Sequence, residues 1–208
     1  MKILAFELSS GQGSIAWVQE GGNPFLRVFA NDRQHSGLFF ETLQLGRREF
    51  GAPEAIVVGL GPGSYAGVRI AIATALGLRA ATAAKLIGIP SICAMETAAR
   101  EYCVIGDARR QSFFFARVND GKILEGPSLH AAADTERKIS ESKLPVYASA
   151  PLAQFPQAVL AFPSAQRLAE LAREQIGEIP DSRSLEPIYL REPHITIPKR
   201  ARALAPTK

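Results

Sequence analysis

Apolar and polar positions alternate through three short segments in the first 30 residues. Residues 2–8, 14–20 and 25–30 are rich in β-branched and aromatic side chains, and glycine-containing turns separate them. Short apolar runs joined by tight turns are typical of antiparallel strands. The chain is therefore predicted to begin with a three-stranded β-meander.

The next pattern has helical spacing. Ser36 is of a residue type preferred at a helix N-cap, and Gly51 is of the type preferred just after a helix end. Apolar side chains recur between them every three to four residues, which predicts a helix with one wide apolar stripe. The members of the stripe are Leu38, Phe39, Leu43, Leu45 and Phe50.

Four further elements are predicted before residue 101. They are a strand over 55–60, a helix over about 66–85, a short strand over 86–89 and a helix near 94–100.

The second half repeats this order in a weaker form. The pattern predicts three strands, a polar helix, a strand and a final helix that begins at Ser164 and ends before Gly177. This favours an internal duplication of a βββαβα unit with a degenerate second copy. The elements before Ser164 are the strands 102–106, 111–119 and 122–125, the helix 134–141 and the strand 145–149.

A glycine loop joins the strand at 55–60 to the helix that follows. Such a loop exposes backbone N–H groups and allows a ligand or a protein to approach closely. It lacks the Gly-Lys-Ser/Thr of a Walker A motif. It fits the loose dinucleotide pattern G-x-G-x-x-A, but the acidic residue expected about 20 positions later is missing, so a tight turn with close helix–sheet packing explains it better. The loop contains Gly61, Pro62, Gly63, Ser64 and Gly67.

The helix at 66–85 has apolar residues on every face, including eight alanines. A helix that is apolar all round is expected to be buried all round. One face can cover its own sheet, so the other must meet a second helix or a different chain. We therefore expect a partner interface on this helix and the helix at 37–50. Its residues are Leu38, Phe39, Leu43, Tyr65, Arg69, Ile70, Ala73, Leu76 and Ala80.

Charge is distributed unevenly along the chain. The net formal charge is +4, and the stretch 191–208 accounts for all of it. The tail over 193–208 is expected to be a flexible, solvated end, with RNA phosphates as the alternative contact. Glu7 follows a short apolar run, which is unlike a signal peptide, and no uncharged run is long enough for a bilayer. A cytoplasmic location is expected, and Cys93 and Cys103 are predicted to be buried thiols of a reducing compartment.

Isolated polar residues offer little catalytic chemistry. His35 has no second histidine at metal-ligand spacing and is expected to bond near the Ser36 cap or at an interface. Ser64 does not lie in a G-x-S-x-G nucleophile elbow. Asp107 and Arg109 could hold a polar ligand, although an ion pair in a solvated turn is the commoner arrangement. No catalytic residue, metal site or cofactor is predicted.

Six segments carry a resemblance to one family. They are Ile3 to Phe6 leading to Ser9, Arg33 to Ser36, Gly59 to Ile70, Gly88 to Pro90, Asp107 to Arg110 and Pro187 to Arg191. In their order and spacing the chain resembles the TsaB family, the non-catalytic, dimerising partner of the TsaD enzyme in tRNA threonylcarbamoyladenosine synthesis. The Gly-Pro-Gly-Ser loop followed by Gly-x-Arg is the most specific of these motifs.

The resemblance implies a fold, a domain organisation and a role. The fold is the duplicated actin-like ATPase fold, which is ribonuclease H-like, with mixed sheets flanked by helices. The halves are 1–100 and a degenerate 101–192, followed by the tail. The role is to bind and position a TsaD-type transferase, with a TsaE-type ATPase in the larger complex, indirect contact with tRNA and a possible homodimer when isolated.

The first hairpin departs from the family pattern. In actin-like ATPases this hairpin approaches the nucleotide phosphates and the metal. The family usually has Asp and Thr where this chain has Glu7 and Leu8, and Thr where it has Ala66. A vestigial phosphate hairpin is therefore expected, and the alternative is a stand-alone small-molecule kinase or ATPase. The hairpin residues are Glu7, Ser9, Ser10 and Gly11.

Overall fold

A computed structural model describes residues 1–31, 36–174 and 184–191. Within them, ten strands form two five-stranded mixed sheets. The first sheet contains β1 (Lys2–Glu7), β2 (Gln12–Gln19), β3 (Phe25–Ala30), β4 (Ala55–Gly59) and β5 (Lys85–Ile89). The second contains β6 (Glu101–Asp107), β7 (Ser112–Asn119), β8 (Lys122–Ala131), β9 (Val146–Ala148) and β10 (Val159–Leu160). The α-helices are α1 (Ser36–Phe50), α2 (Tyr65–Thr82), α3 (Ala132–Ser142) and α4 (Ala165–Glu174).

The two sheets have the same topology, so the predicted duplication is confirmed. In the first sheet the strand order is β3-β2-β1-β4-β5, and in the second it is β8-β7-β6-β9-β10. In each sheet the three consecutive strands pair antiparallel, and the last two strands add in parallel. The β-meander predicted at the start of the chain is the first of these two units.

The layers of the molecule follow from the small residues on the first sheet. On one face of that sheet, Ala5, Ala16 and Ala55 are fully buried and let α4 approach closely. Leu168 and Ala169 of α4 are also fully buried, in the core that joins the two sheets. Helices α1 and α2 cover the opposite face of the first sheet, and α3 covers the outer face of the second.

The prediction of a helix near 94–100 is wrong. A short 3₁₀ helix over Ser91–Ala94 occupies its start. Met95 then pairs with Pro163 in an isolated β-bridge, and the Thr97 hydroxyl accepts a hydrogen bond from the N–H two residues later. These backbone groups are engaged outside any helix, so a helical ladder cannot form through them.

Two strand predictions also need correction. The strand predicted over 122–125 extends to Ala131, and β10 was not predicted. Pro127 interrupts the apolar pattern of β8, and a proline is tolerated because β8 is an edge strand. Strand β10 has only two residues, both exposed, and so gives almost no periodic signal.

Some predictions lie outside the described residues. They concern His35, the side chain of Ser36, the helix end at Gly177 and the tail over 193–208. In the part of the chain that the structure covers, no helix is both long and apolar enough to span a membrane.

Both cysteines are free and buried, as predicted. Cys93 belongs to the core between the sheets, and Cys103 belongs to the core beneath α3. Burial raises the pKa of the Cys93 thiol to about 12 and also raises the pKa of Cys103. Both therefore stay as thiols at neutral pH, which fits structural residues rather than a redox pair.

Candidate functional site

The glycine loop packs directly against the first hairpin of its own chain. A Cβ on Gly63 would overlap the carbonyl oxygen of Ser9, and a Cβ on Gly67 would overlap that of Leu8. The N–H of Ser64 donates a hydrogen bond to the Ser9 carbonyl at 2.6 Å. The close approach that the sequence predicted at this loop is therefore made, at these two positions, by the chain's own backbone.

The rest of the loop is held in place by the start of α2 and by Ser91. The Ser64 hydroxyl accepts a hydrogen bond from the Gly67 N–H at 3.2 Å, so Ser64 is the N-cap of α2. Gly61 has a φ of +84°, its N–H donates to Ser91 Oγ at 2.9 Å, and its carbonyl accepts from the Ser91 N–H. The peptide bond between Gly61 and Pro62 is cis. Ser64 is thus a capping residue and not a free nucleophile.

The backbone carbonyls of the first hairpin already have partners. The Asn31 amide donates to the carbonyls of Leu8 and Ser10 at 2.9 and 2.7 Å. The Ser9 carbonyl accepts from Ser64, and the side chains of Ser9 and Ser10 are buried. These contacts tie the hairpin to the glycine loop and to the end of β3.

Glu7 is fully buried at the base of the hairpin, whereas Gly11 at its tip is exposed. The Oε1 atom of Glu7 accepts a hydrogen bond from the Ser9 N–H at 2.6 Å. The Oε2 atom of Glu7 has no partner among the described residues. Gly59 lies beneath the carboxyl group, where a Cβ would overlap Oε2. Burial raises the pKa of Glu7, and the neighbouring Ser9 and Ser91 offset only part of this effect. The site therefore favours a protonated carboxyl group.

Among the described residues, no group of three or more histidine, cysteine, aspartate or glutamate side chains is placed to hold a metal ion.

A cleft of about 1050 Å³ lies beside the glycine loop, between the two halves. Its walls are the loop with the start of α2, the turn between β6 and β7, and the segment 187–191. In the turn, Arg109 pairs with Asp107 at 3.3 Å, and the Arg109 side chain is 87% exposed. This is the solvated turn ion pair that the sequence predicted as the commoner arrangement.

The side of α2 that faces away from the sheet, called here the outer face of α2, is exposed. The residues on the opposite side of α2 are buried and pack on β1, β4 and β5. On the outer face, Arg69 is the one charged side chain from residue 65 to residue 78. The predicted interface residues that lie there are Tyr65, Arg69, Ile70, Ala73, Leu76 and Ala80.

The apolar stripe predicted on α1 is narrower than expected, because only part of it faces the core. Phe39 and Leu43 are only 2% and 7% exposed, and Phe39 packs edge-on against Phe6 in the core. These two side chains therefore stabilise the fold and do not form an outer surface, which corrects their predicted role at an interface. Leu38 and Leu45 lie seven residues apart and are both exposed.

The sequence did not predict the position of Tyr189. Its ring lies 5.4 Å from that of Tyr65, and both rings are about half exposed. Arg69 donates a hydrogen bond to the Tyr65 hydroxyl at 2.6 Å. The segment 187–191 was noted as a motif, but contacts between residues more than a hundred positions apart leave no periodic signal.

Comparison with known proteins identifies the family. Residues 37–151 match the model of the family described as TsaD, tRNA N6-adenosine threonylcarbamoyltransferase, and this match spans more than half of the chain. The chain belongs to the TsaD family. This match agrees with the resemblance that was carried by the glycine loop and the motifs around it.

Solved structures agree with this assignment at the level of fold. A Pseudomonas aeruginosa protein described as similar to the peptidase YeaZ superposes with a TM-score of 0.74 over 91% of this chain and 99% of its own, at 21% identity. YeaZ from Pseudomonas aeruginosa superposes with a TM-score of 0.67 over the same shares, at 23% identity. The predicted actin-like fold, with two mixed sheets flanked by helices, is confirmed.

Sequence relatives cover less of the chain. Uncharacterised proteins of Mycobacterium tuberculosis and Mycobacterium bovis are each 36% identical over 84 residues, which is 40% of this chain and 40% of each relative. A Mycobacterium leprae protein is 33% identical over 84 residues, 23% of its own length.

Proposed function

We propose that this chain is a non-catalytic, dimerising subunit of the machinery that makes threonylcarbamoyladenosine in tRNA. In this role it binds and positions a TsaD-type catalytic subunit. The observation that carries the proposal is the outer face of α2 in a chain that belongs to the TsaD family. A TsaE-type ATPase joins the larger complex, tRNA is contacted indirectly, and the isolated chain has the capacity to form a homodimer.

The composition of the outer face of α2 supports partner binding. Tyr65 is 51% exposed, Ile70 36% and Leu76 38%, which places large apolar groups in water on one helix face. Ala73 and Ala80 lie between and beyond them and are also exposed. Small residues next to larger apolar ones allow two helix backbones to come close, and they leave little side-chain entropy to lose on binding.

The interior of the hairpin supports an accessory role. A working phosphate hairpin offers free N–H and hydroxyl donors to the phosphates, but here the Ser9 N–H donates to Glu7 and the Ser10 hydroxyl donates to the Gln12 carbonyl. Glu7 is fully buried beneath the hairpin, and burial raises its pKa, which disfavours the charged form that a cation would need. Catalysis is therefore assigned to the TsaD-type partner.

The test is to place a charge on the outer face of α2. Ala73→Glu and Ala80→Glu should leave the isolated chain folded, because water solvates the new carboxylate there. Both should reduce binding of the TsaD-type subunit at least a hundredfold, since a carboxylate buried without a partner is costly. Calorimetry with the purified partner measures the affinity, and reconstituted tRNA modification gives the activity.

A matched control is Ala133→Glu, which adds the same charge at an exposed position of α3. This variant should bind the partner as the wild type does. If the α2 variants are folded and keep wild-type affinity, the outer face of α2 is not the interface and the proposal fails.

A further inference from the structure

We propose that residues 184–191, called here the clasp, complete the partner-binding surface at the first turn of α2, and that Tyr189 contacts the partner directly. This inference rests on the proposed function, since it extends the same surface onto a second segment of the chain. The clasp is more than a hundred residues from α2 in sequence, yet it lies against it in the fold.

The first anchor of the clasp lies on the first half of the molecule. Leu185 is 9% exposed and belongs to the core beneath α1 and α2. A Cβ on Gly88 would lie 2.9 Å from Leu185 Cδ2, so the missing side chain at Gly88 makes room for Leu185. The N–H of Ile188 donates a hydrogen bond to the Leu60 carbonyl at 2.8 Å. The clasp is therefore fixed beside the glycine loop.

The second anchor lies on the second half. Arg191 donates a hydrogen bond to Ser112 Oγ at 2.8 Å, at the start of β7. Leu190 packs against the core between the sheets. The clasp thus forms one wall of the cleft and connects both halves next to the N-terminus of α2. With both ends held, Tyr189 has little freedom left to lose on binding.

Tyr189, Tyr65 and Arg69 form one ordered unit. The tyrosine rings are 5.4 Å apart, and the Arg69 guanidinium lies 5.1 Å from the centre of the Tyr65 ring. Hydrogen bonding to Tyr189, together with Tyr65, raises the pKa of Arg69. Tyrosine and arginine are the residues that most often dominate binding energy at interfaces. Here the three side chains hold one another in place beside the first turn of α2.

The charge of Arg69 indicates the chemistry of the partner. Its recorded contacts are tyrosine hydroxyls and rings, with no carboxylate among the described residues, and α2 contains no acidic residue. Burying this guanidinium against an apolar surface is unfavourable unless the partner supplies an anion. The occupant is therefore a TsaD-type subunit whose apolar face carries a carboxylate opposite Arg69. In a homodimer that pairs the two α2 helices, by contrast, Arg69 would find only arginines as charged side chains on the opposite helix.

The experiment compares three variants of the full chain. Tyr189→Ala should weaken binding of the TsaD-type subunit about tenfold or more, and Tyr189→Phe should weaken it less, because the ring remains. Arg69→Gln should weaken binding and reduce its salt dependence. Leu124→Ala, which removes a 54% exposed side chain on β8, is the control and should bind normally. Calorimetry gives the affinity, and thermal unfolding shows whether each variant is folded.

The outcomes separate this inference from the proposed function. If Ala73→Glu abolishes binding but Tyr189→Ala binds as the wild type does, the clasp lies outside the interface and only the present inference is overturned. If Ala73→Glu also binds normally, the proposed function itself has failed. Should Tyr189→Ala prove unstable, Tyr189→Phe and Arg69→Gln decide, and wild-type affinity and salt dependence in both would overturn the inference.

Discussion

At the scale of single residues, Glu7 shows how one longer side chain alters a site. The resemblance implied that a shorter acid is usual at this position. The extra methylene of Glu7 brings its carboxyl group over Gly59, where only a glycine leaves room. The group is then enclosed, with a hydrogen bond from the Ser9 N–H to one oxygen and the Ser91 hydroxyl beside it. Burial and not pairing controls its titration.

This position gives a pH prediction. Because the folded pKa of Glu7 lies above its unfolded value, its ionisation opposes folding, so stability is lost as the pH rises from the unfolded pKa through the folded one. Glu7→Gln mimics the neutral form and avoids this loss. Its melting temperature relative to wild type should therefore increase with pH and differ least at acidic pH.

Thermal unfolding at a series of pH values tests this, with the exposed Glu49→Gln as the control. A melting-temperature difference for Glu7→Gln that stays constant from acidic to neutral pH would show that Glu7 ionises freely in the folded chain.

At the scale of elements, helix α2 contains two glycines with opposite roles. Gly67, at its first turn, lies against the Leu8 carbonyl, whereas no described atom lies within 4 Å of a Cβ placed on Gly77. The sequence marks both as glycines in an alanine-rich helix and does not distinguish them. Only the position of the hairpin does so.

The two glycines predict opposite changes in stability. Gly67→Ala should destabilise the chain by about 2–4 kcal/mol, since backbone must move to admit the methyl group. Gly77→Ala should stabilise it by about 0.5–1 kcal/mol, because alanine loses less backbone entropy in a helix. Chemical denaturation measures both values. Equal effects of the two substitutions would mean that the loop does not pack on the hairpin as described.

Elements were predicted well where the apolar periodicity was strong. They were predicted poorly where backbone hydrogen bonds to other segments decide the local structure. The meander, α2 and β4 followed from apolar spacing. The segment 94–100 has helix-forming residues, but its backbone pairs elsewhere. On α1, spacing grouped Leu45 with Phe39, although only Phe39 reaches the core, because a broad stripe does not show which of its edges meets the sheet.

At the scale of the whole molecule, the sequence predicted the duplication. It did not predict which elements of the second half pack on the first. By sequence α4 belongs to the second half, yet it packs on β1 and β2 of the first sheet. The clasp likewise returns to the glycine loop. Both are contacts at long sequence separation, which composition and spacing do not encode. The outer face of α2, by contrast, was predictable because its apolar residues exceed what one sheet can cover.

The cleft between the halves permits a direct test of the alternative, a stand-alone kinase or ATPase. Titration of the isolated chain with magnesium and ATP should give no saturable heat at micromolar concentrations. The Ser9 N–H and the Ser10 hydroxyl donate within the chain, and burial disfavours the charged form of Glu7 that a cation would need. Saturable binding accompanied by turnover of about one per second or faster would favour the enzyme instead.

The two buried thiols allow the rate at which each layer of the molecule opens to be measured. Cys93 is enclosed between the sheets, and Cys103 is enclosed beneath α3. A thiol reagent needs both access and the thiolate, so each cysteine is labelled only while its own layer is open. Equal labelling rates mean that both layers open in one cooperative event. Faster labelling of Cys103 means that the outer layer of the second half opens on its own, while the core between the sheets stays closed.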